Sequence, residues 1–336
     1  MSQGKNTNTK SKRRALCRLF GKAAVSVILP VYNTQAYLEQ CINSILEQDF
    51  TDFELICIND GATDGSSAIL EEFARRDNRV KLIVNENQGL GTSRNIGIKE
   101  AKGRYIICLD SDDFFEKDML SKLYEKAEQT EADIVLFAYR TYNTKSGEES
   151  EKQGLNADII GGKDVFSRRD LPDTFMDITK PNAWTKFYRR SFIAESGLEY
   201  QPLLNSEDVY FTYSALCLAE RISFVDEAFA HYRIGREDSL EYNKHLHPLC
   251  FIEAEKALFD ELNKRGIYDE VKISNINRAV SHCAYVIWKF RDMPEIKETV
   301  KQRLRDDLIP YIALLDLNEE NYRNKEHYNV IKSIYK

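Results

Sequence analysis

The run Arg104-Tyr-Ile-Ile-Cys-Leu-Asp-Ser-Asp-Asp113 passes from wholly apolar to acidic in a single step. Residues 105–109 show the unbroken hydrophobicity of a strand buried on both faces. Three carboxylates follow within four positions: Asp110, Asp112 and Asp113. Carboxylates this close repel, and each raises the others' pKa unless a cation or donors compensate. A hard divalent ion, Mg2+ or Mn2+, takes oxygen ligands and is commonly held by one or two carboxylates plus substrate phosphates. On an extended chain Asp110 and Asp112 project to the same side, so this pair is the expected ligand set. The plain alternative is a helix start, with Asp113 capping a segment that begins near Phe115. That alternative accounts for one acid of the three.

Outward from this strand the pattern alternates. Residues 25–29, 53–58, 80–84 and 134–138 read as further strands. Between them lie Leu38, Cys41, Ile42 and Ile45 at helical spacing, then Ile69, Phe73 and Ala74, then helical segments around 96–101 and 119–127. Strands alternating with helices predict an α/β fold with a parallel, doubly wound sheet. In such sheets ligands bind beyond the carboxyl ends of the strands. Those ends carry Pro30-Val-Tyr-Asn33, Asn59-Asp-Gly61, Asn85-Glu-Asn-Gln-Gly89 and the acidic run at 110–113. Residues 140–170, with Gly154, Gly161 and Gly162, read as a loop or hairpin, and mixed structure returns at 183–192, 207–218 and 224–233. Past Leu246 the apolar spacing is helical (Phe251, Ala254, Leu258; Val280, Ala284, Ile287; Leu304, Leu308, Ile312), which predicts two to four helices.

A chain of 336 residues, 43% hydrophobic and 30% charged with mean hydropathy −0.48, has the make-up of a soluble globular protein with a sizeable core. The formal charge is −7, yet the first 24 residues hold seven bases and no acid, so the remainder carries −14. An acidic body argues against nucleic acid as partner. Residues 1–23 read as a disordered basic tail. Alternatively, Leu16, Leu19 and Phe20 among its arginines could touch anionic lipid at the cytosolic face of a membrane. Seven cysteines at scattered positions predict reduced, buried thiols in the cytoplasm. No apolar run approaches the ~18 residues needed to span a bilayer.

The strand ends hold further candidates. Tyr32 could stack on a nucleobase, or be a surface tyrosine at a turn. Asp60 could accept an N–H from a base, or belong to a simple turn. Gly89 and Gly91 follow a strand, but Arg94 stands where a dinucleotide fingerprint needs a small residue, and the strand is the third, not the first. Gly89 instead turns the chain, and Arg94 could reach a phosphate from the helix start.

Four blocks in order, Val-Ile-Leu-Pro-Val-Tyr-Asn (27–33), Asn-Asp-Gly-Ala-Thr-Asp-Gly-Ser (59–66), Asn87-Gln-Gly89 with Ser93-Arg-Asn-Ile-Gly-Ile98, and Leu-Asp-Ser-Asp-Asp (109–113), resemble the nucleotide-binding half of family 2 glycosyltransferases. The resemblance covers residues 25–140 and continues more loosely through 182–190, 206–211 and 231–233. It implies a GT-A fold over 24–240, with a nucleotide-binding half (24–140) and an acceptor half (141–240); the helical region 241–336 has no counterpart in the resemblance. It further implies a sugar nucleotide donor, most often a UDP-sugar, and a Mn2+ or Mg2+ cofactor. By this resemblance Pro30, Val31, Tyr32 and Asp60 hold the base. Asp110 and Ser111 face the ribose or the metal's water shell, and Asp112 binds the metal that bridges the diphosphate. Asp208 matches the base that deprotonates the acceptor, with Glu207 orienting it. The plain alternative for Ser206-Glu-Asp208 is a helix start with acids on its dipole. Trp184 could be a sugar platform beside Lys186, or a core anchor. His231 would complete the metal shell, and Arg233 or Arg236 would clamp the diphosphate. His245 and His247, with no further ligand in view, read as solvated. The implied activity is inverting transfer of a sugar to a hydroxyl of a glycan or lipid-linked acceptor in cell-surface polysaccharide synthesis. Two alternatives remain: an Asp-x-Asp phosphatase with Asp110 as nucleophile, and a silent sugar-nucleotide-binding module.

Overall fold

The structure, a computed structural model, describes residues 23–236 and 242–335. The expectations for the basic tail, Cys17 included, therefore fall outside the described residues. Eight strands form one sheet: β1 (Val25–Val31), β2 (Phe53–Asp60), β3 (Val80–Asn85), β4 (Tyr105–Cys108), β5 (Phe114–Phe115), β6 (Ile134–Asn143), β7 (Lys186–Arg189) and β8 (Ile222–Ile234). Their spatial order is β3-β2-β1-β4-β7-β6-β8-β5. The first four are parallel, in the register Val25 against Phe53 and Tyr105. Their carboxyl ends, at Val31, Asp60, Asn85 and Cys108, consequently share one edge of the sheet.

The sheet is mostly parallel, as expected, and beyond β4 it takes in antiparallel pairs. β7 lies between β4 and β6 and is antiparallel to both, while β5 pairs antiparallel with β8. The acidic run accordingly opens onto a short strand at Phe114, and the next helix starts only at Met119 after Asp118. Asp113 is thus no helix cap. Its Oδ1 accepts the Arg233 N–H at 2.8 Å and ties the segment to β8. The polar stretch after 140 is the expected hairpin, bridged at Tyr139–Gln153 and Tyr142–Glu149.

Strand alternation sorts the core into two layers. Val25, Val27 and Leu29 of β1, with Tyr105 and Ile107 of β4, pack on helices Gln35–Leu46 and Met119–Thr130 through Leu38, Cys41, Ile42, Ile45, Leu120 and Leu123. Ile28, Ile106 and Cys108 face the other way, towards helices Leu90–Glu100 and Glu207–Leu218. Gly97 is where helix Leu90–Glu100 rests on the sheet, since a Cβ there would stand 2.3 Å from Ile28. The C-terminal part contains four helices of ten residues or more among the described residues: Cys250–Lys264, Tyr268–Lys289, Pro294–Arg303 and Lys325–Tyr335. They enclose a third core around Ile276, Val280, Leu304 and Ile331. Ala254, Leu258 and Leu262 join the second layer instead, so the appendage is packed onto the sheet domain rather than tethered to it. Cys41, Cys57, Cys108, Cys217 and Cys283 are buried unpaired thiols, with burial pushing Cys57 up to about 12. No helix among the described residues is long and apolar enough to cross a membrane.

Candidate active site

The strand-end loops are knitted together by side chains from different strands. Thr34 Oγ1 and Ser111 Oγ lie 3.0 Å apart, joining the β1 loop to the acidic run. Asp60, buried, accepts the N–H groups of Gln88 (3.0 Å) and Gly89 (2.9 Å) and so holds the β3 loop against the end of β2. Each of its oxygens retains room for a further donor. Pro30 and Val31 are buried within β1, whereas Tyr32 leaves 47% of its surface exposed at the edge. Of the three, Tyr32 is the one that offers a ring to a ligand.

Oxygens of Asp110, Asp112 and Asp113 converge within 4.8 Å of one another. Burial, then the charges of Asp112 and Asp110, hold the Asp113 carboxyl well above the usual range. Its Oδ2 is buried without a hydrogen-bond partner. Asp112 is likewise raised by burial and by Asp110, although Arg236 at 2.6 Å opposes this. A buried orphan oxygen inside an acid cluster is the signature of a site short of positive charge. The donor set fits a hard divalent cation, with Asp110 and Asp112 the more accessible members.

His231 does not join this cluster. Its pairing opposite Phe114 stacks the imidazole on that ring at 4.3 Å, and its nitrogens reach Glu149 (2.7 Å) and Glu116 (3.0 Å) instead. Arg233 is also committed elsewhere. Its guanidinium lies against Tyr37, Phe114 and Tyr142 and reaches Gln40 Oε1 at 2.5 Å. Arg236 is the arginine that stands at the acids.

The second half of the site is reached through Arg94. This side chain, 2% exposed, does not point to a phosphate position. Its Nη2 meets Asp110 Oδ1 at 2.8 Å and its Nη1 meets Glu207 Oε1 at 2.6 Å. Residues 113 positions apart are thereby joined across the site. Glu207 opens helix Glu207–Leu218, and the next residue is Asp208. Burial, then the neighbouring charge of Glu207, pushes the Asp208 carboxyl up to about 7, against the pull of Arg94, Lys244 and Lys186. A carboxylate poised near neutral pH can take a proton from a hydroxyl and give it up again.

Two sequences of known kind bear on this geometry. The family model described as Glycosyl transferase family 2 matches residues 26–193, half of the chain. The chain belongs to this family. EpsH of Bacillus subtilis (strain 168), a glycosyltransferase by name, is 33% identical over 79% of the chain and 78% of its own length. The poly(ribitol-phosphate) beta-N-acetylglucosaminyltransferase TarS of Staphylococcus aureus (strain MW2) is 25% identical over 90% of the chain, which spans only 56% of TarS. Among solved structures, TarS 1–349 in complex with UDP-GlcNAc superposes with a TM-score of 0.56 at 21% identity, covering 91% of each chain. The mannosyltransferase PcManGT of Pyrobaculum calidifontis, in complex with GDP-Man and Mn2+, gives 0.52 at 13% identity over 93% of this chain and 84% of its own. At such identities the likeness is one of fold, and the fold is GT-A.

Within this family 2 glycosyltransferase two expected substrate contacts are structural. Trp184 is 5% exposed, stacks on Tyr232 at 5.4 Å and meets Tyr139 edge-on at 4.8 Å, so it anchors the core and no sugar can lie on it. Lys186 is fully buried and donates to the carbonyls of Lys180 and Asn182 and to Thr185 Oγ1. Burial pulls its amine down to about 7. Three acceptors nonetheless match the three N–H donors of an ammonium, so Lys186 braces the 180–185 segment, and its charge is felt at Asp208. Sequence reasoning missed the Arg94–Glu207 link and the orphan oxygen of Asp113. The signal for the first was a charged residue on a helix face otherwise built of Gly91, Ser93 and Gly97.

Proposed function

We propose that this enzyme transfers a sugar from a UDP-sugar to a hydroxyl of a glycan or lipid-linked acceptor, with inversion at the anomeric carbon. The observation that carries the reading is the pairing of an acid cluster short of a cation with a carboxylate poised near pH 7, linked by one buried arginine. The base would lie on Tyr32, with Asp60 accepting one of its N–H groups. Asp110 and Asp112, backed by Asp113, would hold Mn2+ or Mg2+. When bound, that ion neutralises the charge that develops on the departing diphosphate. Arg236 lies where it can share this task. Asp208 takes the acceptor proton, and Glu207 and Arg94 keep its segment in place. A single base acting opposite the leaving group gives inversion.

TarS structures hold UDP and UDP-GlcNAc, and PcManGT holds Mn2+, which supports a nucleotide sugar and a divalent ion here. The named relatives support a place in surface-glycan synthesis, and the lack of an apolar span among the described residues is compatible with work in the cytoplasm. Asp110 is already engaged by Arg94, which disfavours it as a phosphatase nucleophile. The test is UDP release from UDP-GlcNAc and related donors, with and without Mn2+. Asp208→Asn should abolish transfer and leave UDP binding near normal. Equal loss of both would show that Asp208 is not the base.

A further inference from the structure

We propose that the apolar face beside Asp208, built from the segment before helix Glu207–Leu218 and from the C-terminal region, rests on a lipid bilayer and so presents a bilayer-anchored acceptor to the base. The word acceptor rests on the transfer reading above, and the bilayer rests on the side chains of the face. Among the described residues twelve large hydrophobic side chains are exposed, and five of them, Leu204, Tyr242, Leu246, Tyr285 and Trp288, belong here. Asn205 Nδ2 donates to the His247 carbonyl at 2.9 Å, which brings the segments of Leu204 and Leu246 together. Asn205, His247 and Tyr285 border the same hollow. The rings of Tyr285 and Trp288, three residues apart on helix Tyr268–Lys289, lie 6.2 Å centre to centre. Lys244, between Tyr242 and Leu246, stands close enough to Asp208 for its charge to be felt there. The apolar face is thus continuous with the approach to the base.

The chemistry of the face selects its occupant. A sugar site needs an open ring face together with polar groups that fix orientation. Here the Arg291 guanidinium lies over Trp288 at 4.2 Å, and Tyr285 is stacked beside the same ring. Leu204 and Leu246, 55% and 62% exposed, present side chains with no polar atom for a hydroxyl. A second copy of the chain seated here would cover the approach to Asp208 and prevent the reaction proposed for it. Tryptophan and tyrosine beside protruding leucines are side chains that settle at the headgroup boundary of a bilayer. The cations of the face are already engaged: Arg291 pairs with Asp292 at 3.4 Å, and Lys244 and Lys289 have partners of their own. Attachment is therefore by apolar burial rather than by charge, and a chain of net charge −7 needs no anionic lipid for it.

The experiment adds phosphatidylcholine vesicles to the full chain and follows tryptophan emission. Of the two tryptophans Trp184 is buried and Trp288 is 58% exposed, so a blue shift on adding vesicles reports Trp288. Saturable, blue-shifted binding is expected, equal within twofold at about 0.1 M and about 0.5 M salt, because salt screens charge contacts and not apolar ones. The double variant Leu204→Asp, Leu246→Asp should bind at least tenfold more weakly and Leu246→Asp severalfold more weakly, each with its Tm unchanged. Leu246 is a surface side chain, so the single variant remains informative if the double one fails to fold. No shift in the wild type, or undiminished binding in Leu246→Asp, overturns the proposal. Binding that the higher salt abolishes also overturns it, since the contact would then be electrostatic and lie elsewhere. Two further results would do the same: a dimer in sedimentation that Leu246→Asp dissolves, or a blue shift on adding soluble glycan oligomers without vesicles. Absence of any UDP release from wild type would sink the transfer reading instead, because vesicle binding is read without turnover.

Discussion

Removal of the arginine that joins the two acids should be among the most damaging single changes available to this fold. Arg94 is 2% exposed, Glu207 8% and Asp110 23%, so the Glu207 contact is the drier of the two. In Arg94→Gln, Glu207 is left buried without its arginine, and Asp110 loses its ion pair beside Asp112 and Asp113, with Arg236 held on Asp112. Breaking a buried pair by deleting one partner costs about 3–5 kcal/mol. The Asp110 half, more open to water, should add less. Urea denaturation at pH 7 reads the loss as a lower midpoint at unchanged slope. Saturating Mn2+ with UDP should recover only the Asp110 share, because a cation at the acid cluster does not reach Glu207. The double variant Arg94→Gln, Glu207→Gln should be more stable than Arg94→Gln alone, since the uncompensated charge is gone. Arg94→Lys should lie between, a point charge replacing a fork that spans two carboxylates. A loss below about 1 kcal/mol in Arg94→Gln, or a double variant no better than the single, would refute the idea that this arginine neutralises a buried acid pair.

The remaining expectations concern the base, the cation and the aromatic wall. With Asp208 near 7, kcat/KM for the acceptor should rise with pH through about 7 and fall about tenfold per unit below it; a flat profile from pH 5 to 8 counts against Asp208. Because the folded chain holds this proton more tightly than the unfolded chain, Asp208 contributes stability at low pH that is lost as pH rises through about 7. Asp208→Asn should accordingly gain more stability at pH 8 than at pH 5, which thermal unfolding at the two pH values checks. Mn2+ with UDP at a hundred times its Kd should add about 2.7 kcal/mol of apparent stability, and Asp112→Asn should remove most of that shift; an unchanged shift places the ion elsewhere. Trp184→Ala should cost about 3–5 kcal/mol of stability while donor affinity stays within twofold; the opposite pattern would return Trp184 to the sugar.

The parallel half of the sheet was legible because each of its strands is an apolar run closed by turn-forming residues, and periodicity reports such runs directly. The other half was not. β7 is the four-residue stretch Lys186–Arg189, and two of those residues are cationic. Its neighbours β4 and β6 come from residues 105–108 and 134–143. No local pattern states that a late, short, charged segment slots between two early ones. The consequence reached the site. Once β8 must run beside β6 and β5, His231 is carried over Phe114 to Glu116 and away from the acids, a placement fixed by pairing rather than by residue type.

Arg94 illustrates the reverse case, in which the residue was conspicuous and its partner was not. An arginine within the buried positions Gly91, Ser93, Arg94 and Gly97 cannot stay uncompensated in a low-dielectric interior. The sequence therefore posed the question of its counter-charge, and an external phosphate was a reasonable answer from one strand end alone. The internal answer needed Glu207, which packing of helix Glu207–Leu218 on the second core layer delivers to the same place. On the proposed reading Asp110 serves the donor, and Glu207 adjoins Asp208, which serves the acceptor. One guanidinium that neutralises Asp110 and Glu207 fixes their separation, so a shift of either half against the other must stretch a contact of 2.6 or 2.8 Å in a dry environment. Under the proposed function, the buried ion triad therefore sets the distance between donor and base rather than supplying net stability, which buried pairs seldom provide.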